Sequence, residues 1–472
     1  MARKEKKRFY EQVEILDVAA EGKCVARVEG DLVVFVDMVV PGDVVDIRIT
    51  KKKKKFLEGR AEKFHKFGAT RIEPACGHFG LCGGCKWQNL EYEKQLFYKQ
   101  KQVVDNFKRI GKLEIPEIIP ILPAPETEFY RNKLEFTFSS YRWLEQEEIE
   151  AEGENIDRRG LGFHLPGRWD RVLDIDKCYL QPDPSNAIRD AIKAYAKEKG
   201  LSFHDAKTRK GYLRVITIRT ANTGDVMLIV QVFEDKPEEI NGLMEFLKNK
   251  FPEITSLNYV VNPKNNDTIY DQEIITYHGV PYIVEEMEGL KFRVGPKSFF
   301  QTNSEQAYNL YKVTRDFAEL KGEEVLYDLY TGTGTIGLFM SKSVKSVIGL
   351  EYVESAIEDA KKNAKLNNID NCSFYAGDMK DLLNDEFVAQ HPKPDVIITD
   401  PPRAGMHPDV TEMLLKLEAP KIVYVSCNPA TQARDLAILN AKYELIKIQP
   451  VDMFPHTMHV ENVALLKLRE IH

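Results

Sequence analysis

The chain has 472 residues, 43% hydrophobic and 29% charged, with a formal net charge of −7. That length exceeds one ordinary hydrophobic core and predicts two or three domains. No apolar run of about 18 residues is present, so no helical membrane span is expected. The basic opening, residues 1–10, has no apolar stretch after it and does not read as a secretory signal, which makes the cytoplasm the expected location.

The acidity is uneven. Residues 1–66 hold 16 Lys and Arg against 12 Asp and Glu, whereas the remainder holds 50 against 61. The cations concentrate in residues 3–8 and in the run 51–55. Charge runs are usually solvated tails and loops; on a small module attached to an acidic body they also suit phosphate. Seven cysteines in a chain without an export signal do not suggest a disulfide framework.

In chain order, residues 13–19, 23–28, 32–36, 44–50 and 58–64 read as five short strands. Turn signals at Glu21-Gly22, Gly30-Asp31 and Pro41-Gly42 punctuate them. Five such strands in so short a span predict a small barrel of the OB type. Residues 33–43 and the lysine run after them resemble a TRAM domain, an RNA-binding barrel appended to RNA-modifying enzymes. A cysteine cluster at 74–90 comes next, then a helical stretch over 92–110, with Gly111 as a C-cap. Residues 120–290 read as mixed α and β: strands at 133–140, 213–220, 226–233 and 256–262, a helix at 185–199, and an acidic solvated loop at 145–154. From 291 the pattern becomes regular strand–helix alternation. Strands at 325–329, 346–350, 372–375, 395–399 and 421–426 are apolar and rich in Val and Ile, and a helix at 353–367 lies between two of them. This predicts a doubly wound sheet with ligands at its carboxyl ends.

The expected architecture is therefore multidomain. It comprises an OB-like β-barrel (1–66), an α+β domain carrying the cysteine cluster (67–290) and a Rossmann-like α/β domain (291–472). The helix at 92–110 is able to pack on the last of these.

Gly332, Gly334 and Gly337 form a G-x-G-x-x-G spacing at a strand-to-helix junction, which lets backbone approach a ligand closely. Glu351 stands 19 residues after Gly332, where an acidic residue would hold ribose hydroxyls. Asp378 and Asp400 end two further strands. A bare dinucleotide fold would not call for Asp400-Pro401-Pro402-Arg403, and the whole set resembles the class I S-adenosylmethionine methyltransferases. Cys427 lies at the carboxyl end of the next strand. A cysteine in a βα protein is usually packing, but this strand end is where such a sheet presents its site. A thiolate there could add to C6 of a pyrimidine and activate C5. Glu461, just before a final strand at 463–468, is a candidate base for the C5 proton. The competing reading of Glu461 is an exposed carboxylate at a strand start, and His456 and His459 read as shaping the loop before it.

Phe299-Phe300-Gln301-Thr302-Asn303, residues 328–337, Asp400-Pro401-Pro402-Arg403, Ser426-Cys427-Asn428-Pro429 and residues 454–463 together resemble the RNA uracil-5-methyltransferase family. The likeness to its bacterial 23S ribosomal RNA members takes in the barrel and the cysteine cluster. The resemblance implies Cys427 as nucleophile and Glu461 as base. It implies Gln301, Tyr330, Glu351 and Asp400 as S-adenosylmethionine contacts, with Asp378 and Thr335 beside them. Tyr330 stands where some members carry phenylalanine.

Cys76, Cys82 and Cys85, separated by glycines, can wrap a metal centre with Cys178 as a fourth ligand. Four thiolates suit tetrahedral zinc or an iron–sulfur cluster, and spacing leaves both open. The resemblance favours a [4Fe-4S] cluster in a structural role. His78 is a weaker ligand candidate, and Cys24 and Cys372 read as packing. The expected substrate is RNA, 23S ribosomal RNA before transfer RNA, flipped out or presented in a loop. A DNA cytosine-5 methyltransferase and a non-catalytic RNA-binding or iron–sulfur scaffold are the competing classes. No membrane association and no obligate protein partner are expected.

Overall fold

The first strands alternate one side chain inward and one outward, and they close on themselves. β1 (Phe9–Val18), β2 (Cys24–Val28), β3 (Leu32–Asp37), β4 (Val44–Lys52) and β5 (Leu57–Lys66) form a closed barrel in the order β1-β2-β3-β5-β4. Ala26, Val34, Val36, Val45 and Ile47 fill its interior. The lysine run extends β4 beyond the barrel and turns back into β5. This computed structural model describes residues 9–116, 118–152 and 156–470. The basic cluster at 3–8 lies outside the described residues.

The cysteine segment packs on the barrel through Trp87 and Leu90, and Trp87 donates its indole N–H to the Gly22 carbonyl at 3.2 Å. Helix α1 (Tyr92–Asn106) follows, then a π turn over Phe107–Gly111. The α-helix thus ends earlier than the 92–110 expected, and the left-handed residue is Lys112 (φ 50°) rather than Gly111. The glycine serves close approach instead: a Cβ there would lie 3.0 Å from the Ala433 carbonyl. The helix and its π turn pack against the C-terminal domain.

The central region comprises β6 (Lys133–Ser139), α2 (Gln146–Glu152), β7 (Gly160–Leu165), β8 (Arg168–Asp174), α3 (Ser185–Glu198), β9 (Leu213–Thr220), β10 (Val226–Val232), α4 (Pro237–Lys250), β11 (Ile254–Val261) and β12 (Ile275–Gly279). Its sheet runs β12-β11-β10-β9-β6-β7-β8. Ile188, Ile192, Leu243 and Leu247 of α3 and α4 share one core with Phe136, Ile216 and Leu228. The acidic stretch expected to be a loop forms α2, where Glu148 pairs with Arg142.

The hairpin β13 (Ile283–Met287) and β14 (Leu290–Val294) straddles residue 290, and its apolar side chains lie in the C-terminal core. Beyond it come α5 (Ser304–Ala318), β15 (Val325–Leu329), α6 (Thr335–Met340), β16 (Ser346–Glu351), α7 (Glu354–Leu366), β17 (Cys372–Ala376), α8 (Met379–Leu382), α9 (Asp385–Gln390), β18 (Val396–Thr399), α10 (Pro408–Leu417), β19 (Lys421–Ser426), α11 (Pro429–Leu439), β20 (Tyr443–Val451) and β21 (Glu461–Leu468). The sheet order β17-β16-β15-β18-β19-β21-β20 is parallel through β19, and β21 runs antiparallel to β19. Its strand order reverses between β15 and β18, and the crevice there is where such sheets bind ligands. Among the described residues no helix is long and apolar enough to cross a membrane.

Candidate active site

The loop after β15 is built for a close-bound ligand. Tyr330, Gly332 and Gly334 all take positive φ (64°, 56° and 80°), and a Cβ on Gly334 would sit 2.9 Å from Ala360. Asp328 pins this loop: its Oδ2 accepts from the Gly337 amide at 2.9 Å and from the Thr331 hydroxyl. Its other oxygen is buried without a partner among the described residues. Burial holds the Asp328 carboxyl up at about 7. Glu351, ending β16, accepts the Gly332 amide at 3.1 Å and the Val353 amide at 3.0 Å. Each of its oxygens keeps a lone pair for a hydroxyl. Thr335 opens α6, buried, with its hydroxyl 3.2 Å from that of Thr333. Asp378 caps α8, accepting the Lys380 amide at 3.3 Å, and its charge reaches the Tyr330 phenol, which burial raises to about 12. Gln301 is buried beside α5, its carbonyl accepting from the Asn132 amide group at 2.9 Å. These residues fit S-adenosylmethionine by donor chemistry: glycine-lined backbone, a ribose-type carboxylate and an aromatic wall.

Strand register assembles the chemistry. Thr399 pairs with Leu329 on one side and Tyr424 on the other, so Asp400 follows directly beside Tyr330. Ser426 pairs with Asn462 across β19 and β21. The next residue on one strand and the preceding residue on the other are Cys427 and Glu461, which therefore face each other at the strand ends. Asn428 caps α11 by accepting the Ala430 amide at 3.1 Å. It also donates to the Arg403 carbonyl at 3.0 Å, to which the Thr431 hydroxyl donates at 3.2 Å. The Asp400–Arg403 loop is thereby fastened to the cysteine turn.

Cys427 is half-buried. Burial, and then the charges of Glu461 and Asp400, push its thiol up to about 11, while the adjacent Arg403 guanidinium opposes them. Glu461 is buried rather than exposed, which removes the solvated-carboxylate reading. Burial first and Asp400 second raise its carboxyl well above the usual range; Asp400 is raised by burial and by Asp328. A buried base of raised pKa beside a thiol and an arginine suits proton abstraction from carbon near neutral pH.

The loop from Asp452 to Val460 sets Glu461 in place. Lys99, Gln306 and Asn303 donate to the carbonyls of Phe454, Asp452 and Met453 at 2.9, 3.0 and 3.0 Å. His456 shapes the loop: its φ is 64°, its amide donates to Gln95 at 2.8 Å, and its carbonyl accepts the Lys86 and Trp87 amides. The cysteine segment is thus bonded to the loop that carries the base. Sequence reasoning missed Lys99 and Gln95; their i, i+4 spacing with Val103 and Phe107 was the available signal, masked by their polarity. It also assigned no role to Asp328 or Arg403, although both stood inside quoted motifs.

Cys76, Cys82, Cys85 and Cys178, all free thiols, line one cavity of about 730 Å³ that also reaches Arg403 and His459. The Gly84 amide donates to the Cys82 sulfur at 3.4 Å. Burial raises Cys82 and Cys85 to about 11 and about 12. Among the described residues, no three His, Cys, Asp or Glu side chains close around a point as ligands of a single metal ion do. His78 Nε2 is taken by the Asp176 amide at 3.0 Å. Cys24 donates to the Val39 carbonyl at 3.0 Å, and burial raises Cys372 to about 12.

A family model described as tRNA (uracil-5-)-methyltransferase matches residues 227–469, and one described as TRAM domain matches residues 5–61. A chain described as an uncharacterized RNA methyltransferase from Bacteroides thetaiotaomicron is 58% identical over 455 residues, covering 96% of this chain and 100% of its own. One of the same description from Porphyromonas gingivalis is 52% identical over 461 residues, covering 96% and 99%. The solved structure of Pyrococcus abyssi tRNA (uracil-54, C5)-methyltransferase in complex with S-adenosyl-L-homocysteine superposes with a TM-score of 0.75 at 28% identity, covering 96% of this chain and 100% of that one.

Proposed function

The chain belongs to the S-adenosylmethionine-dependent RNA uracil-5-methyltransferases, and from that membership we propose that it methylates C5 of a uridine in RNA, with Cys427 as nucleophile and Glu461 as base. The observation that carries this reading is the Ser426–Asn462 register, which sets the thiol opposite the buried carboxylate.

Gln301, Tyr330, Thr335, Glu351, Asp378 and Asp400 would hold the cofactor, which would supply an electrophilic methyl group. The Cys427 thiolate adds to C6 of the flipped uracil, and the C5–C6 double bond opens toward the C4 oxygen. C5 would then take the methyl group as the C4 carbonyl re-forms, the S–CH3 bond breaking and the sulfonium sulfur leaving as a neutral thioether. Glu461 removes the C5 proton, the electron pair returns to C5–C6, and the cysteine leaves as thiolate. Arg403, beside the sulfur, stabilises that thiolate at both ends of the sequence.

Cys76, Cys82, Cys85 and Cys178 would hold a [4Fe-4S] cluster. A four-iron cluster is larger than one ion, so its thiolates need not converge as zinc ligands do. Its place is structural, holding the segment bonded to His456. The likeness of the sequence to the bacterial 23S ribosomal RNA members favours 23S ribosomal RNA as the substrate. A transfer RNA substrate is the second reading, favoured by the solved relative that acts on tRNA uracil-54.

Transfer of a labelled methyl group to ribosomal RNA, transfer RNA and DNA lacking 5-methylpyrimidines tests the reading. Label in 5-methyluridine of RNA is the expected result. Label in DNA alone, or in none of the three, contradicts it.

A further inference from the structure

A second cavity, of about 620 Å³, opens where β6 ends and β9 begins. The β7–β8 turn and residues of the 204–209 and 264–267 loops complete its wall. It meets the cysteine-lined cavity at His164, which borders both. His164 therefore places it next to the cavity that reaches Arg403 and His459.

The local sequence explains what the cavity presents. Leu165 pairs with Arg168 across Pro166-Gly167, and Gly167 takes φ 72°. This is the conformation that a Pro-Gly turn provides, and it carries Arg168 and Trp169 to the rim. Trp169 is 65% exposed, a large indole surface left in water. The carboxylates of the wall are already paired: Asp170 with Lys207 at 2.8 Å, and Asp267 with Arg214 at 2.7 Å. Arg214 is buried and held further by the carbonyls of Asn262 and Lys264 at 2.6 and 2.7 Å. Arg168 and Arg209 are exposed and have no carboxylate partner among the described residues. Arg209 takes φ 58°, a backbone state non-glycine residues seldom adopt.

An aromatic platform flanked by unpaired guanidiniums, with hydroxyl, imidazole and amide groups behind it, is the chemistry that grips one unstacked nucleotide. Cavities of roughly 300–1,000 Å³ take a small ligand of about nucleotide size. We propose that this cavity is a second RNA subsite, in which a base of the substrate strand outside the catalytic cleft stacks on Trp169 while its phosphates meet Arg168 and Arg209. The proposal rests on RNA being the substrate.

The test uses the full chain and bulk RNA from cells lacking 5-methyluridine, with Trp169→Ala and the double variant Arg168→Ala/Arg209→Ala compared with the parent. Stacking loss in Trp169→Ala should raise KM about ten-fold with kcat within about two-fold. The double variant should weaken binding of the same RNA and flatten its log Kd–log salt slope by about 1.4, two single-strand phosphate contacts. S-adenosylhomocysteine affinity and melting temperature should be unchanged in both. If the parent methylates RNA while both variants keep its KM and salt slope, the subsite is overturned and the uridine chemistry stands. If the parent methylates DNA and no RNA, the substrate reading falls and the subsite with it.

Discussion

The Lys99 ammonium meets Asp452 Oδ1 at 2.5 Å, with both side chains fully buried. This pair joins helix α1 to the loop that delivers Glu461. Burial drives the lysine pKa down while Asp452 opposes it. Removing one partner leaves an uncompensated interior charge, so Lys99→Met should lower stability by about 3–5 kcal/mol. Lys99→Met/Asp452→Asn should recover part of that loss. Urea unfolding of the parent and both variants checks this; a single variant as stable as the parent would show that the pair does not hold the loop.

Glu285 gives a pH signature. It is buried between the hairpin and α5, accepting from the Ser304 hydroxyl at 2.8 Å, and burial raises its carboxyl to about 7. A carboxyl raised in the folded state contributes stability that is fully present below its ordinary pKa, near pH 4, and is lost as pH rises through 7. The loss should be on the order of 3 kcal/mol by pH 8. Melting temperature should therefore fall from pH 5 to pH 8, and Glu285→Gln should flatten that fall. An identical pH slope in the variant would remove Glu285 as its source.

Glu461→Gln separates the two halves of the reaction. Thiolate addition and methyl transfer precede proton removal, so this variant should accumulate a methylated covalent complex with ordinary RNA while turnover falls by about 10²-fold or more. In the parent, the raised carboxyl and thiol both become active as they ionise, so the rate should climb from pH 6 to pH 9. Denaturing gels with labelled cofactor distinguish the complex from free RNA. Full turnover by Glu461→Gln would assign the base elsewhere.

The four-cysteine cavity makes an analytical prediction. Anaerobically purified protein should be brown, with about four iron and four sulfide per chain, and Cys82→Ser should lose both. Loss of the centre should also loosen the His456 loop and lower turnover while cofactor affinity persists. Zinc without iron or sulfide would rule out the cluster.

The barrel and the doubly wound sheet were legible because their strands carry the period that burial imposes: alternating in β2 and β3, a short buried run in β15, β18 and β19. Cys427, Glu351 and Asp400 were legible because strand ends locate the site in such a sheet. Glu461 was identified, but its burial was not, because the loop covering it is held by residues more than 100 positions away: Lys99, Gln95, Asn303 and Gln306. Helix α1 was expected to pack on the C-terminal domain and does so, but the part Gln95 and Lys99 take in it was hidden by their polarity. The stretch expected to be an acidic loop forms α2, with Glu148 paired to Arg142, a partner outside the acidic run. Trp169 and Arg168 carried no periodic signal at all; only the folded hairpin shows them beside a cavity.

The central claim is that Cys427 bonds to C6 of a uridine in RNA. RNA substituted with 5-fluorouridine tests it most directly, because fluorine cannot leave as a cation and the adduct cannot collapse. With S-adenosylmethionine present, the parent should form a complex stable to denaturation, and peptide mapping should place the nucleotide on Cys427. Cys427→Ala should form none while still binding S-adenosylhomocysteine. Methylation of ordinary RNA without any adduct on the fluorinated RNA, or an adduct mapped to another residue, would contradict the mechanism.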